Sequence, residues 1–512
     1  MRLRDLSPFH FDLTADQAGS AGNLRSMKLS FWEGALTGIM GVLSGGVILT
    51  GFALSLGANE FIIGLLASVQ VGANLLQIRA FRRLEKHGHR KAMAVRFAAW
   101  ARLLWLPIAL VAAINLPAFA PYRLWLFLLL FATSASLGVY SLVPWVSWLV
   151  DLVPEKVRGR FYAQRNFAGG ALGVILGVLA GKFIDWWQAQ QFAPLPLGFA
   201  LLTLCGMAFG LWAVRIINRM EEPPFAPAPA RPTFWESLRI PFRDPNFRRL
   251  FLFRIFYDLS MGIAGTFYGV YMLTQAGLSY FFVSAMAMIA TLANLLALKP
   301  WGWMIDRFGN KPVLQICLIG KVLFALLWLF TTPETLWLYF FLHLLGVFDA
   351  GNALAIPNLL YKLAPANRRA NYIAVDGTVV GIAATVAPLL GGGLAVIFSS
   401  WQVQLGGFHW AHFHFLFFTA ALLRLGTLLI LQPVHEPVSK SVKHVIRILW
   451  PVRSINLFEG FQQALHSLVA PSRSIIDKLV ERHNGKGRRR QGDARKAKKE
   501  YLDYQENRSE NS

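Results

Sequence analysis

In FWEGAL an acid follows two aromatics, and Glu33 enters a long apolar run; FYDLSM repeats the pattern with Asp258. A third acid, Asp349, stands inside GVFDAGNALAIP, with Asn352 about a turn later. Two bases, Arg102 and Lys321, lie within apolar runs of their own. A charge inside lipid is costly, so each of these groups must face a cavity or a partner. A carboxylate in that setting can carry a proton, contact a substrate or anchor an ion pair. Opposite charges at matching depths predict pairing of Glu33 with Arg102 and of Asp258 with Lys321, either as structural ion pairs or as coupling groups. Of the two acids, the shallower Glu33 reads as the anchor and Asp258 as the coupling group. Asp349 is the leading candidate for binding substrate or proton; its alternative is a helix–helix hydrogen bond. His343, earlier in the same run, reads as a neutral lining residue, and Arg424 as structural. Trp145 and Trp148, beside Pro144, line a cavity or simply pack.

Other chemistries find little support. His409, His412 and His414 in FHWAHFHFLF are close enough to hold a metal, but no Cys or carboxylate stands beside them. They read as an interfacial aromatic and histidine belt, so no metal is expected. No phosphate-binding glycine loop, nucleotide motif or nucleophile–base arrangement is found. Neither a cofactor nor an enzymatic activity is expected. Cys205 and Cys317 both lie in apolar runs and read as small packing residues.

The elements that carry these groups are membrane helices. The chain of 512 residues is 55% hydrophobic and only 15% charged, against about a quarter charged in a soluble domain. Apolar stretches of spanning length follow one another, at 30–56, 59–80, 93–115, 122–149, 164–186 and 196–217, then 249–275, 278–303, 313–331, 335–361, 373–398 and 412–432. Each must be helical, because backbone groups cannot stay unpaired in lipid. The formal charge of +23 reads as loops facing anionic lipid rather than as a nucleic-acid surface. Loops after even-numbered spans hold Arg79, Arg82, Arg83, Lys86, Arg90 and Lys91, then Lys156, Arg158 and Arg160, then Arg307 and Lys311, then Lys362, Arg368 and Arg369. Loops after odd-numbered spans carry only Arg123. This alternation predicts cytoplasmic termini and cytoplasmic even-numbered loops. No cleavable signal peptide is read, and the first span is expected to direct insertion.

A Pro/Ala-rich stretch, PPFAPAPARP, divides the spans into two sets of six. Features recur between the sets: Glu33 with Asp258, Glu85 with Asp306, Arg102 with Lys321, Pro144 with Pro357, and Arg165 with Asp376. The offset drifts one way, from 225 to 211, as short deletions after a duplication would produce. Two six-helix sets in one orientation imply parallel repeats. The expected organisation is an N-terminal segment 1–29, a first half 30–217, a linker 218–248, a second half 249–432 and a tail 433–512.

GWMIDRFGNKPVL, spanning Gly302 to Leu314, resembles the loop signature of the major facilitator superfamily: Gly302, Asp306, Arg307, Gly309, Lys311 and Leu314 match, while Asn310 replaces a basic residue. The first-half copy, FRRLEKHGHRKAM, keeps Gly88 and Arg90, offers Glu85 and Lys86 for the Asp-Arg pair, and has Phe81 for the leading Gly. In span 11, Ala383, Ala387, Pro388, Gly391 and Gly392 are similar to a family packing pattern that normally occupies span 5. Here span 5 has Gly173, Gly177 and Gly181 without the proline. Small residues at this spacing let helices approach closely. The resemblance covers about 20–435. It implies an all-α fold of twelve helices, alternating access about a central site, and a helix carrying Asp349 beside the cavity. It further implies that each signature loop packs on helix 5 of the opposite half, so that Asp306 meets Arg165 and the first-half loop meets Asp376, as gate pairs or as fixers of topology.

After span 12, SVKHVIRILWPVRSINLFEGFQQALHSLVAP and SRSIIDKLVERH pattern as in-plane helices, and the end is polar and charged. Anionic lipid is the expected partner of this tail, with RNA or a protein as the alternative. The sequence therefore reads as a monomeric, multi-pass plasma-membrane transporter of a small molecule, open to proton coupling. A non-transporting membrane scaffold or receptor acting through the basic tail is the rival.

Overall fold

The computed structural model describes residues 20–114, 117–191, 193–224, 241–365, 368–405 and 408–437. Among them are twelve helices long and apolar enough to cross a membrane. The first six are α1 (Gly22–Ser55), α2 (Glu60–His87), α3 (Arg90–Val111), α4 (Pro121–Leu152), α5 (Glu155–Gln190) and α6 (Leu195–Asn218). The second six are α7 (Pro245–Thr274), α8 (Tyr280–Phe308), α9 (Asn310–Phe330), α10 (Leu336–Leu363), α11 (Asn371–Ser400) and α12 (His412–Leu431). All twelve stand where hydropathy places them. Several run further than their apolar stretch toward the basic loops: α1 starts well before 30, and α2 continues past 80 through its arginines.

Local chemistry sets the ends. Asn59 accepts from the Ile62 amide at 3.0 Å, and Ser279 accepts from the Phe282 amide at 3.1 Å. Asp244 caps α7 at the Asn246 amide, with Pro245 in the first turn. Gly88 (φ +70°) and Gly309 (φ +98°) turn the chain between α2 and α3 and between α8 and α9. Only glycine takes these angles without strain, which gives the signature glycines a mechanical reason. Helix α1 is interrupted at Ser44 and Gly45, and Gly46 has φ +51°.

Within each half the helices pack in the same order. Helix α1 lies on α5 and α6, α3 on α4 and α6; likewise α7 lies on α11 and α12, and α9 on α10 and α12. The halves meet where α2 packs on α11 and α5 on α8. Those contacts need small residues: a Cβ at Gly392 would stand 3.0 Å from the Phe61 Cα, and one at Gly181 2.9 Å from the Ser284 Oγ. Gly64 faces the Pro388 carbonyl, and Gly391 faces Ile263 and Phe267 on α7. Gly173 and Gly177 pack instead against Val42 of α1.

Between α11 and α12 a hairpin escaped the hydropathy reading. Strands β1 (Val403–Leu405) and β2 (Phe408–Trp410) pair antiparallel, with Gln404 opposite His409. The proline-rich linker at 225–240 and the tail from 438 lie outside the described residues.

Candidate functional site

In the first half, Glu33 is 2% exposed and pairs with Arg165 of α5 at 2.7 Å. Arg165 also donates to the Ser30 carbonyl and lies over the Trp145 ring. Thr37, one turn after Glu33, donates to its carboxylate at 2.8 Å. Arg102 reaches the Thr37 hydroxyl at 3.3 Å and donates to the Gly210 carbonyl at 2.5 Å. The expected Glu33–Arg102 pair is therefore replaced: Arg165 is the direct partner, and Arg102 is joined through Thr37. The reason is packing, since α1 lies on α5, whereas α3 lies on α4 and α6.

The second half uses the same helix pair with altered charges. Arg254 on α7 contacts Asp376 on α11 at 3.3 Å and Asp258, one turn on, at 3.5 Å. Two carboxylates thus share one guanidinium. Lys321 does not meet Asp258. It pairs with Asp349 of α10 at 2.5 Å, because α9 packs on α10 rather than on α7. The lysine side chain is 8% exposed, whereas that of Asp349 is 50% exposed. The acid is therefore half-exposed while its counter-ion is buried. Arg424 donates to the Lys321 carbonyl, and both cations lie over the Phe324 ring. Asn352 is 1% exposed, and neither atom of its amide has a partner among the described residues. His343 points a ring nitrogen at the Tyr339 carbonyl.

The expected cross-half gate pairs are not formed in this conformation. Arg165 is engaged by Glu33 and Asp376 by Arg254, while Asp306 is exposed. Arg307 lies over Trp303 and Phe308. Glu85 is half-buried and Lys86 exposed. Each signature loop is instead tied within its own half. Arg90 is fully buried, pairs with Asp151 at the end of α4, and donates to the Pro223 carbonyl beyond α6 at 2.8 Å. In the second half Glu436, beyond α12, accepts from the Asn310 and Lys311 amides and the Asn310 side chain, and pairs with Lys362 at the end of α10 at 3.0 Å. Burial pushes the Glu436 carboxyl up, but these donors outweigh it and hold it below the usual carboxylate range.

Two polar contacts between described residues join the halves at the face opposite the signature loops. Asp185 on α5 accepts from the Tyr280 and Phe281 amides at the start of α8, both at 2.8 Å. Glu60 on α2 faces His412 on α12 at 3.6 Å. Near these contacts α1, α2, α7 and α8 line a half-open pocket of about 300 Å³, with Gly46 and Gly265 of its wall exposed. Of the three outer histidines, His409 is on β2, His412 faces Glu60 and His414 is buried against Tyr271. No group of metal-binding side chains occurs among the described residues.

Arg254, Asp185, Glu60 and Glu436 were not singled out from the sequence. Arg254 had a readable signal, since it precedes Asp258 by one helical turn. Asp185 had one too, as an acid at the end of an apolar run. Glu436 sits among loop residues after the last span, and nothing in its neighbourhood marks it.

A sequence profile described as Major Facilitator Superfamily matches residues 250–476. The tetracycline resistance protein of class H from Pasteurella multocida is 29% identical over 107 residues, covering 21% of this chain and 26% of that protein. The alignment thus spans about a quarter of that relative. Solved structures share the fold over far more of the chain. The D-xylose–proton symporter superposes with TM-score 0.60 at 15% identity, over 82% of this chain and all of that one. The nucleoside transporter NupG superposes with TM-score 0.58 at 14% identity, over 80% of this chain and 99% of that one. The chain thus has the fold seen in these transporters, and its second half, with the signature at Gly302–Leu314, matches the profile of the major facilitator superfamily.

Proposed function

We propose that this transporter moves a small molecule by alternating access about the space between its halves, driven by protons bound at the Asp258–Arg254–Asp376 cluster. The signature face is assigned to the cytoplasm from its basic loops, in a plasma or inner membrane. The observation that carries the coupling is the sharing of one guanidinium by two carboxylates. One arginine compensates one acid; a second ionised acid in a low-dielectric setting is costly unless it takes up a proton. Asp349, half-exposed and paired with the buried Lys321, is the group placed to contact substrate or relay that proton. Closure at the Asp185 and Glu60 contacts, with the signature loops tied within their own halves, corresponds to an inward-facing state. Rocking of the halves would exchange these contacts for pairs at the signature face.

The test is flux in proteoliposomes. Asp349→Asn is expected to abolish accumulation driven by a pH gradient. Undiminished gradient-driven flux in that variant would remove Asp349 from the mechanism.

A further inference from the structure

The pocket near the Asp185 and Glu60 contacts is built from missing side chains. Gly265 and Gly269 stand one turn apart on α7, and Gly46 lies opposite at the interruption of α1; all three line it. A Cβ at any of them would meet no heavy atom within 4 Å. Side chains at these positions would therefore occupy the pocket, whose volume of about 300 Å³ is at the lower end of the range of small-molecule pockets, about 300–1,000 Å³.

The polar groups of the lining are few and unspent. Thr50, Gln70 and Thr266 line the cavity, and no charged side chain does. Thr133, Thr274, Thr291, Thr385, Thr419 and Thr427 each donate to the carbonyl four residues back, as helical threonines in an apolar setting do. Among the described residues, neither Thr50 nor Thr266 makes such a bond, and the Gln70 amide makes none. The remaining lining is apolar, with Leu49, Ile63, Leu66 and Val283 among it.

This chemistry selects a class of ligand. An ion would find no counter-charge among the described lining residues. A sugar carries a hydroxyl on nearly every carbon, and each one left without a partner costs about 1–3 kcal/mol. Three polar side chains cannot satisfy such a molecule. We propose that this cavity binds an uncharged, largely apolar ring compound bearing one or two hydrogen-bonding groups, and that such compounds are the substrate class. The assignment rests on the transport reading above. It separates this chain from the xylose and nucleoside carriers whose fold it shares.

The test uses full-length protein in proteoliposomes, with Cys205→Ser removing the exposed thiol. A cysteine replaces Thr50 or, in a second variant, Thr266, and is labelled with N-ethylmaleimide. Coumarin is the neutral ring probe, coumarin-3-carboxylate its charged counterpart and xylose the polyol. Coumarin at about ten times its Kd is expected to slow labelling about tenfold, because labelling tracks the unliganded fraction. The other two should leave the rate unchanged. Gly269→Leu, and to a smaller extent Gly269→Ala, should remove the protection. Protection by xylose or by the carboxylate equal to that by coumarin overturns the assigned class, as does failure of both cysteines to react. The transport reading fails separately: the impermeant reagent methanethiosulfonate ethylsulfonate would then reach the cysteine from one side of the vesicle only, whatever the pH gradient, while coumarin still protects.

Discussion

Arg165 and Asp376 hold matching places on α5 and α11, and each reaches the first helix of its own half with the polarity reversed. Arg165 meets Glu33 of α1 at 2.7 Å, and Asp376 meets Arg254 of α7 at 3.3 Å. The repeat has thus kept a bridge between the same two helices while exchanging the sign of its ends. An acid stands at the matching place on the first helix of each half, Glu33 and Asp258. Once position 376 is also acidic, that arrangement would set acid against acid, and Arg254 enters one turn earlier to join them. The first-half bridge is a balanced pair; the second-half bridge carries a surplus carboxylate.

A balanced buried pair should behave as a structural element. Glu33→Gln leaves the buried Arg165 without its counter-charge and one amide oxygen where two carboxylate oxygens served Arg165 and Thr37, and breaking a buried pair from one side costs about 3–5 kcal/mol. The exchanged double variant, Glu33→Arg with Arg165→Glu, should recover a large part of that loss. Thermal unfolding of purified protein, followed by loss of the monodisperse peak, reads both effects. Equal destabilisation in the single and double variants would show that the bridge is not what holds α1 to α5.

Beyond α12, the Glu436 carboxylate gathers the start of α9 and the end of α10 into one clip. Its pKa is lowered in the folded protein, so its contribution is fully present above the unfolded value of about 4.3. That contribution fades as pH falls through the folded value. Melting temperature should therefore drop on acidification below about pH 5 more steeply in the parent than in Glu436→Gln. Near neutral pH the variant should be less stable by about 2–3 kcal/mol, from charge-assisted bonds made neutral. Parallel melting curves for the two proteins between pH 4 and 7 would exclude this role.

The twelve helices and the two turning glycines were legible because lipid permits one backbone solution, and hydropathy and φ preference report on it directly. The partners of the buried charges were not. Residue depth can be counted along a helix, but which neighbour a side chain faces depends on which helices touch. Lys321 and Asp258 lie at similar depth, yet α9 packs on α10 and α12, and the lysine finds Asp349. The gate pairs drawn from family resemblance are not formed here, because Arg165 and Asp376 are already engaged within their own halves.

At the closed face Asp185 accepts two amide donors of α8 from the other half, a helix cap supplied across the interface. Asp185→Ala removes it at a cost of about 1–2 kcal/mol, enough to move a two-state equilibrium about 5–30-fold. The population open at that face should rise. Spin labels at the exposed positions Gln188 and Gln402 should then report a longer distance component that is minor in the parent. An unchanged distance distribution would mean that the small-residue packing of α2 on α11 alone sets the closure.

The surplus carboxylate gives the coupling its sharpest test. Asp258→Asn leaves Arg254 with Asp376 as a balanced pair, the arrangement of the first half. With no surplus acid left in the cluster to take up a proton, accumulation against a gradient should be lost. Exchange of labelled for unlabelled substrate across vesicles should persist, because the halves can still rock without net charge movement. Glu33→Gln makes the contrasting case. It lowers the amount of folded protein, but the pH dependence of the remaining flux should match the parent. Flux assays at matched protein, with and without an imposed pH gradient, separate the two. Gradient-driven accumulation surviving in Asp258→Asn, or lost in Glu33→Gln at equal folded protein, would reverse the assignment of anchor and carrier between the halves.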